Sequence, residues 1–380
     1  MKSHRTVVIC TMALVGLCVV SDSRSQTQFL IPDRTNDVIY RVRDMNNDGL
    51  ISGPGEVFLW FDGANAAGTL GMMNPSSQAV SVCRIAIVGD QVNPNVYGLV
   101  DLTNDGDAQD VGESIIFADA TNASLVSFAF PTGAAFDSQC RAYVVNAGNT
   151  FGNDGIYRLV DLNGDGDAQD VVGGTPEITD YVTIGAFGPG NGPYGPQEMF
   201  FAAGDIGYVR NSSTGIFAVY RFEDINANGR ADDPTEFTTF LDPANLSGVP
   251  VTTGFALEPD RFRTPLLGHT AMYTLQTAAG GVDQLVRVID LNDDKDAQDA
   301  GEAAIVYSNS GASFTAVDVV SLLNGDALLT DNSGITIMRL HDANGNGDFM
   351  DPGEATTYMA TSPPIAQARQ VDALCRVGDI

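Results

Sequence analysis

Asp161-Leu-Asn-Gly-Asp-Gly-Asp-Ala-Gln-Asp170 is the stretch on which the reading of the chain turns. Oxygen-bearing side chains stand at its positions one, three, five, seven and ten, around a glycine at position six. A strand-like run, Gly155-Ile-Tyr-Arg-Leu-Val160, leads into it, and Glu177-Ile-Thr-Asp-Tyr-Val182 leads out. Variants of this strand, acidic loop and strand recur along the whole chain.

The first copy is Val38-Ile-Tyr-Arg-Val-Arg43, a loop from Asp44 to Glu56, then Val57-Phe-Leu-Trp-Phe61. The second joins Val96-Tyr-Gly-Leu-Val100 to Ser114-Ile-Ile-Phe117 through Asp101 to Glu113. The third runs from Asp161 to Glu177 and carries an insertion, Val172-Gly-Gly-Thr-Pro176. The fourth is Ala218-Val-Tyr-Arg-Phe222, Asp224 to Glu236, then Phe237-Thr-Thr-Phe-Leu241. The fifth is Leu285-Val-Arg-Val-Ile289, Asp290 to Glu302, then Ala303-Ala-Ile-Val-Tyr307. The sixth is Ile335-Thr-Ile-Met-Arg-Leu340, Asp342 to Glu354, then Ala355-Thr-Thr-Tyr-Met359. Loop starts about 50 to 66 residues apart fit propeller blades better than small solenoid repeats.

A second pair of strands is expected between these hairpins, most clearly in Ala134-Ala-Phe-Asp-Ser-Gln-Cys-Arg-Ala-Tyr-Val-Val145. Its counterparts are Ala79 to Val88, Glu198 to Val209, Phe255 to Leu275, Ala316 to Leu329, and Gln370 to the C-terminus. Each repeat is then four antiparallel strands, A to D, with the acidic loop joining C to D. Six such repeats predict an all-β, six-bladed propeller over residues 26–380. Because the chain begins with a C–D hairpin and ends after an A–B pair, one blade is expected to combine both ends and close the ring.

Gly133 to Val145 resembles the strand A, turn, strand B signature of NHL-type and gluconolactonase-like six-bladed propellers. The acidic loops are similar to the D-x-D-x-D-G calcium loops of EF-hands, dockerins and thrombospondin-type repeats, with strands in place of helices.

Forty-eight acids against nineteen Lys and Arg give a formal net charge of −29, which excludes nucleic-acid or anionic-membrane binding through a basic patch. Lys2, His4 and Arg5, an apolar run from Thr6 to Val20, and small or polar residues from Ser21 to Ser25 read as a secretory signal over residues 1–25. Cys18 follows Leu17, where a lipoprotein signal needs a small residue. No membrane span is expected, and the mature chain is expected to be secreted or periplasmic and monomeric. Cys83, Cys140 and Cys375 each precede an arginine. Equivalent places in different repeats are expected to lie too far apart to bridge, so all three are expected as buried free thiols.

Calcium takes six to eight hard oxygens, and a loop of this kind supplies them at alternating positions with a glycine at the bend. The candidate ligands are Asp44, Asn46, Asp48 and Glu56 in loop one, and Asp101, Thr103, Asp105, Asp107, Asp110 and Glu113 in loop two. Loop three offers Asp161, Asn163, Asp165, Asp167 and Asp170. Loop four offers Asp224, Asn226, Asn228, Arg230, Asp233 and Glu236, and loop five Asp290, Asn292, Asp294, Asp296, Asp299 and Glu302. Loop six offers Asp342, Asn344, Asn346, Asp348, Asp351 and Glu354. At Leu50 and Arg230, position seven can contribute only its backbone carbonyl. Lys295 stands where the glycine belongs, and Gly53 removes the position-ten carboxylate, so loops five and one are expected to be the weaker sites. Metal-free Asx turns are the competing account of any single loop. Six acid-rich copies in register favour up to six calcium ions, and the absence of nearby His or Cys ligands disfavours zinc or copper.

The A–B and C–D turns of a propeller share a rim, so the six loops are expected on one face. A protein or glycan ligand is expected on the other, over connections such as Asp62 to Gly68 and Gly188 to Pro196. Nucleophile, phosphate-loop and zinc-protease motifs are absent. The enzymatic alternative is a lactonase-like hydrolase. The resemblance to gluconolactonase-like propellers implies a divalent ion in the channel, for which Asp137, Glu198, Glu258, Asp318 and Asp372 are the candidates. Hydrogen bonding within A–B turns is the structural alternative for Asp137, Asp318 and Asp372. Trp60 is expected to pack between blades instead of stacking on sugar.

Overall fold

The computed structural model describes residues 28–374 except 47, 67, 70, 73–74, 81–84, 148–153, 184–194, 214–215, 253, 255, 279–281, 310–315, 332–335, 360–364 and 366–371. Six four-stranded antiparallel sheets form the blades. Blade two comprises β4 (Pro75–Val80), β5 (Ala86–Asp90), β6 (Val96–Leu99) and β7 (Ser114–Ala118). Blade three comprises β8 (Pro131–Phe136), β9 (Ala142–Asn146), β10 (Gly155–Leu159) and β13 (Ile178–Thr183), with a small hairpin, β11 (Val171–Val172) and β12 (Thr175–Pro176), in its acidic loop. Blade four is β14 (Pro196–Ala202), β15 (Ile206–Ser213), β16 (Ile216–Phe222) and β17 (Phe237–Leu241). Blade five is β18 (Leu257–Pro259), β19 (Ala271–Ala278), β20 (Val282–Ile289) and β21 (Ala303–Ser308). Blade six is β22 (Ala316–Ser321), β23 (Ala327–Asp331), β24 (Ile337–Leu340) and β25 (Ala355–Met359).

Blade one joins the two ends of the chain, but not as two strands plus two. β26 (Asp372–Leu374) is its inner strand, followed by β1 (Gln28–Asp33), β2 (Val38–Arg43) and β3 (Val57–Phe61). The expected second C-terminal strand is replaced by Gln28–Asp33, which pairs with β2 over six residues and with β26 over three. All six of its residues are buried. Asp33 closes the following turn by accepting the amides of Thr35 and Asn36, as Asp90 does for Val92 and Asn93 after β5. Inner strands β26, β4, β8, β14, β18 and β22 meet their neighbours consecutively around the ring.

The core is six wedges between blades, because each sheet buries both faces against its neighbours. Trp60, Phe61, Tyr97 and Leu99 fill the wedge between blades one and two. Phe29, Ile31, Tyr40, Tyr358 and Met359 fill the one between blades six and one. Trp60 is thus an interior residue, as expected. In blade five a five-residue helix, α1 (Arg263–Leu267), lengthens the A–B connection, which is why Phe255 to Leu275 fits the repeat least well.

The cysteine expectation fails at Cys140, which is disulfide-bonded. Its partner lies outside the described residues, as do Cys83 and Cys375. The A–B turns of blades three and four touch one another at the inner rim. Asp205 of blade four accepts from the Ser138 amide and hydroxyl of blade three at 2.8 and 2.9 Å.

Candidate metal sites at the blade junctions

Each acidic loop is shaped by the same ladder of hydrogen bonds. The position-one aspartate accepts the amide of position six: Asp44 from Gly49, Asp101 from Gly106, Asp161 from Gly166, Asp224 from Gly229, Asp290 from Lys295 and Asp342 from Gly347. In five loops the position-three asparagine accepts from position five, as Asn163 does from Asp165, Asn226 from Asn228 and Asn344 from Asn346. Position five accepts from position seven in every loop, including Asp48 from Leu50 and Asn228 from Arg230. This curl requires a left-handed residue at position six, where Gly166 has φ 102° and Lys295 is held at φ 77°.

The closing glutamate is buried in every loop. Glu113 Oε1 accepts the amides of Leu102 and Thr103, and its Oε2 accepts that of Asp110. Burial alone would raise its pKa, but these bonds outweigh burial and hold the carboxyl below its ordinary value. Glu177 does the same in loop three, taking the amides of Leu162 and Asp170. It was not among the expected ligands, because the β11–β12 insertion displaces it from the thirteenth position. Its place immediately before strand D was the available signal.

The oxygens of Asp105, Asp107 and Glu113 lie within 4.8 Å of one another, as do those of Asp348, Asp351 and Glu354. These are the spacings a single hard cation needs. Asp101, Asp107 and Asp167 have raised pKa values, first because of burial and then because of neighbouring carboxylates. Asp44 Oδ1, Asp101 Oδ1 and Glu236 Oε2 are buried without a hydrogen-bond partner. Such orphaned oxygens fit a cation ligand set, since an unmade bond at a buried acceptor is costly.

Position eight shows what the loops hold together. Its amide donates to strand D of the preceding blade at all six junctions: Ala108 to Trp60, Ala168 to Phe117, Ala231 to Tyr181, Ala297 to Phe240, Phe349 to Val306, and Ile51 to Tyr358. The accepting residue is in each case the bulged one, which strand C skips in its pairing with strand D. A bulge turns that carbonyl out of the ladder, and the next loop supplies the missing donor. The position-eight side chain enters the wedge beneath, so Ala108, Ala168, Ala231, Ala297, Phe349 and Ile51 are each core residues. Guanidinium groups add to the clasp. Arg41 of blade one donates to the Gly106 carbonyl of loop two at 2.8 Å, and Arg287 of blade five bonds the Gly347 carbonyl of loop six.

This geometry corrects the expected separation of loops from D–A connections. Ala66, Ala123 and Leu246, all in D–A connections, donate to Gln109, Gln169 and Gln298 of the next acidic loop. The loops therefore lie along the outer perimeter, against strand D, and engage the very segment around Asp62 to Gly68 that was assigned to the opposite face. The companion segment, Gly188 to Pro196, lies largely outside the described residues.

The inner-strand acids are disposed differently. Asp137 is buried in its own A–B turn, accepting from Gln139, the Arg141 amide and guanidinium, and the Tyr143 hydroxyl. Glu198 accepts the Leu257 amide of the next inner strand, and Glu258 accepts that of Ser321 one blade further on. Burial raises the Glu258 pKa, with Arg261 pulling against it. Asp318 accepts the amide of Val319. Among the described residues no three inner-strand acids come within metal distance. The side chain of Asp372 lies outside those described.

No protein-family model matches the sequence. No curated protein matches it either. Solved structures match the fold. A chain of a nidogen/laminin complex superposes with a TM-score of 0.57 at 11% identity, covering 92% of this chain and 98% of that one. The gluconolactonase XC5397 from Xanthomonas campestris gives 0.50 at 14% identity, covering 90% and 89%. The calcium-binding protein regucalcin from Agrobacterium tumefaciens gives 0.48 at 12% identity, covering 79% and 77%. Among the described residues no helix is long and apolar enough to cross a membrane. The chain is a six-bladed β-propeller whose structural neighbours include gluconolactonase-like propellers.

Proposed function

We propose that this chain is an exported calcium-binding propeller that acts as a binding, adhesion or cell-surface scaffold. Calcium in the six C–D loops clasps each blade to the one before it. The observation that carries this reading is the convergence, at every junction, of an acid-rich oxygen loop with an inter-blade hydrogen bond and a core side chain. A cation held there stabilises the seam between blades as well as the hairpin tip, because it binds only the folded arrangement. Among the described residues there is no hinged helix pair of the kind a calcium sensor opens, so the role proposed is structural.

The partner is a protein or glycan. The likeness to a chain of a nidogen/laminin complex brings protein recognition into the proposal. The lactonase-type hydrolase lacks support among the described channel acids, where Asp137, Glu198, Glu258 and Asp318 accept from the protein's own donors. Metal analysis after dialysis against calcium at about 1 mM, the range of extracellular calcium modules, tests the reading. Several equivalents per chain are expected, and none would remove it.

A further inference from the structure

The six closing glutamates are not equivalent. In five loops the second carboxylate oxygen is met by the protein's own amides. Ser52 and Gly53 donate to Glu56 Oε2, Asp110 to that of Glu113, and Asp170, Asp299 and Asp351 to those of Glu177, Glu302 and Glu354. Glu236 in loop four is 1% exposed, and its Oε1 accepts the Asn226 amide at 2.9 Å. Its Oε2 is buried with no hydrogen-bond partner. Loop four also differs at position twelve from the four loops that have a glycine there. Gly55, Gly112, Gly301 and Gly353 adopt φ between 80° and 95° there, whereas loop four has Pro234-Thr235 and Thr235 stays at negative φ. In loop four the Asp233 carbonyl takes the amides of both Glu236 and Phe237, and the position-ten amide makes no hydrogen bond to Oε2.

We infer that Glu236 Oε2 is a dedicated ligand for a hard divalent cation of calcium size, a role the other five glutamates share with loop closure. This rests on the calcium reading above. Asn226 ties the carboxylate to position three of the loop and also contacts Asp233 at 2.8 Å, so the free oxygen belongs to the same oxygen-rich turn. The Arg230 guanidinium is drawn aside onto Asp232, leaving its carbonyl for the site. A buried anionic oxygen without a proton donor is costly in the empty loop, and a cation relieves that cost.

Calorimetric titration of the chelator-stripped full chain with calcium tests this. E236Q keeps an acceptor for the Asn226 amide but removes the anionic ligand. It is expected to lose one equivalent, or to bind it at least tenfold more weakly. E198Q, at a buried inner-strand glutamate that accepts the Leu257 amide of the next blade, is expected to match the wild type in uptake. T235G allows the glycine turn of loops one, two, five and six, so it should raise the melting point without calcium and shrink the calcium-dependent gain, even if E236Q folds poorly. Wild-type uptake and affinity in both E236Q and T235G would overturn the inference while leaving the calcium reading intact. No uptake by the wild type overturns both.

Discussion

The perimeter and the channel of this propeller use acidic residues in opposite ways. Among the described channel acids no three converge, and each accepts from the protein's own donors, as Asp137 does from Arg141 and Tyr143, or Glu198 from the Leu257 amide. At the perimeter, acids crowd into short loops, leave orphaned oxygens at Asp44, Asp101 and Glu236, and bring three carboxylates together in loops two and six. The described channel acids are met by the protein's own donors, whereas the loops leave acceptor oxygens unmet. Acid content alone does not mark a metal site. What marks it is whether the protein's own donors run out.

Several substitutions can break or sharpen that contrast. The largest effect is expected from F349A, which empties a core position that loop six supplies to the wedge between blades five and six. A loss of about 3–5 kcal/mol in denaturant unfolding, the range for buried phenylalanine truncation, is expected with and without calcium. I51A should cost about 2–5 kcal/mol by the same measurement, since Ile51 carries loop one into the seam between blade six and blade one. D165A should weaken calcium binding at loop three and leave the other loops near normal, read as a fractional loss of the calcium-dependent rise in melting point. D137N, in the channel, should cost about 1–3 kcal/mol through its lost charged hydrogen bonds and leave calcium uptake unchanged.

The smallest expected effect concerns Glu258. Its raised pKa means the neutral form suits the fold better, so its contribution is fully present below the ordinary carboxylate range and is lost as pH rises through the raised value. E258Q should therefore gain on the wild type as pH increases from about 4 to 7, measured as a growing difference in melting point. A difference that shrinks over that range would show that Arg261 dominates the site.

Much of this was legible in the sequence, and the failures have physical causes. The acidic loops mark each C–D hairpin, and the runs that flank them are strands. The closure was misread because Gln28–Asp33 is buried on both faces and shows no alternation. Its one local signal, an aspartate-led turn like that after β5, emerges only by comparing Asp33 with Asp90. The disulfide at Cys140 is not legible because sequence spacing alone does not say which cysteines the fold brings together. The clasp was hidden for a related reason. Residues four beyond each closing glutamate, from Trp60 to Tyr358, look like ordinary outer-strand positions, and only the bulge reveals that their carbonyls serve the next blade. Loop chemistry is local and readable, whereas the contacts between blades depend on the ring being closed.

The central claim is that cations at the perimeter hold the blades together. Thermal unfolding of the same preparation in excess chelator and then in millimolar calcium, at matched ionic strength, tests it most directly. A single site filled to a hundred times its dissociation constant contributes about 2.7 kcal/mol, so several occupied loops predict a large upward shift of the midpoint with calcium. Coincident midpoints in the two conditions would contradict the account.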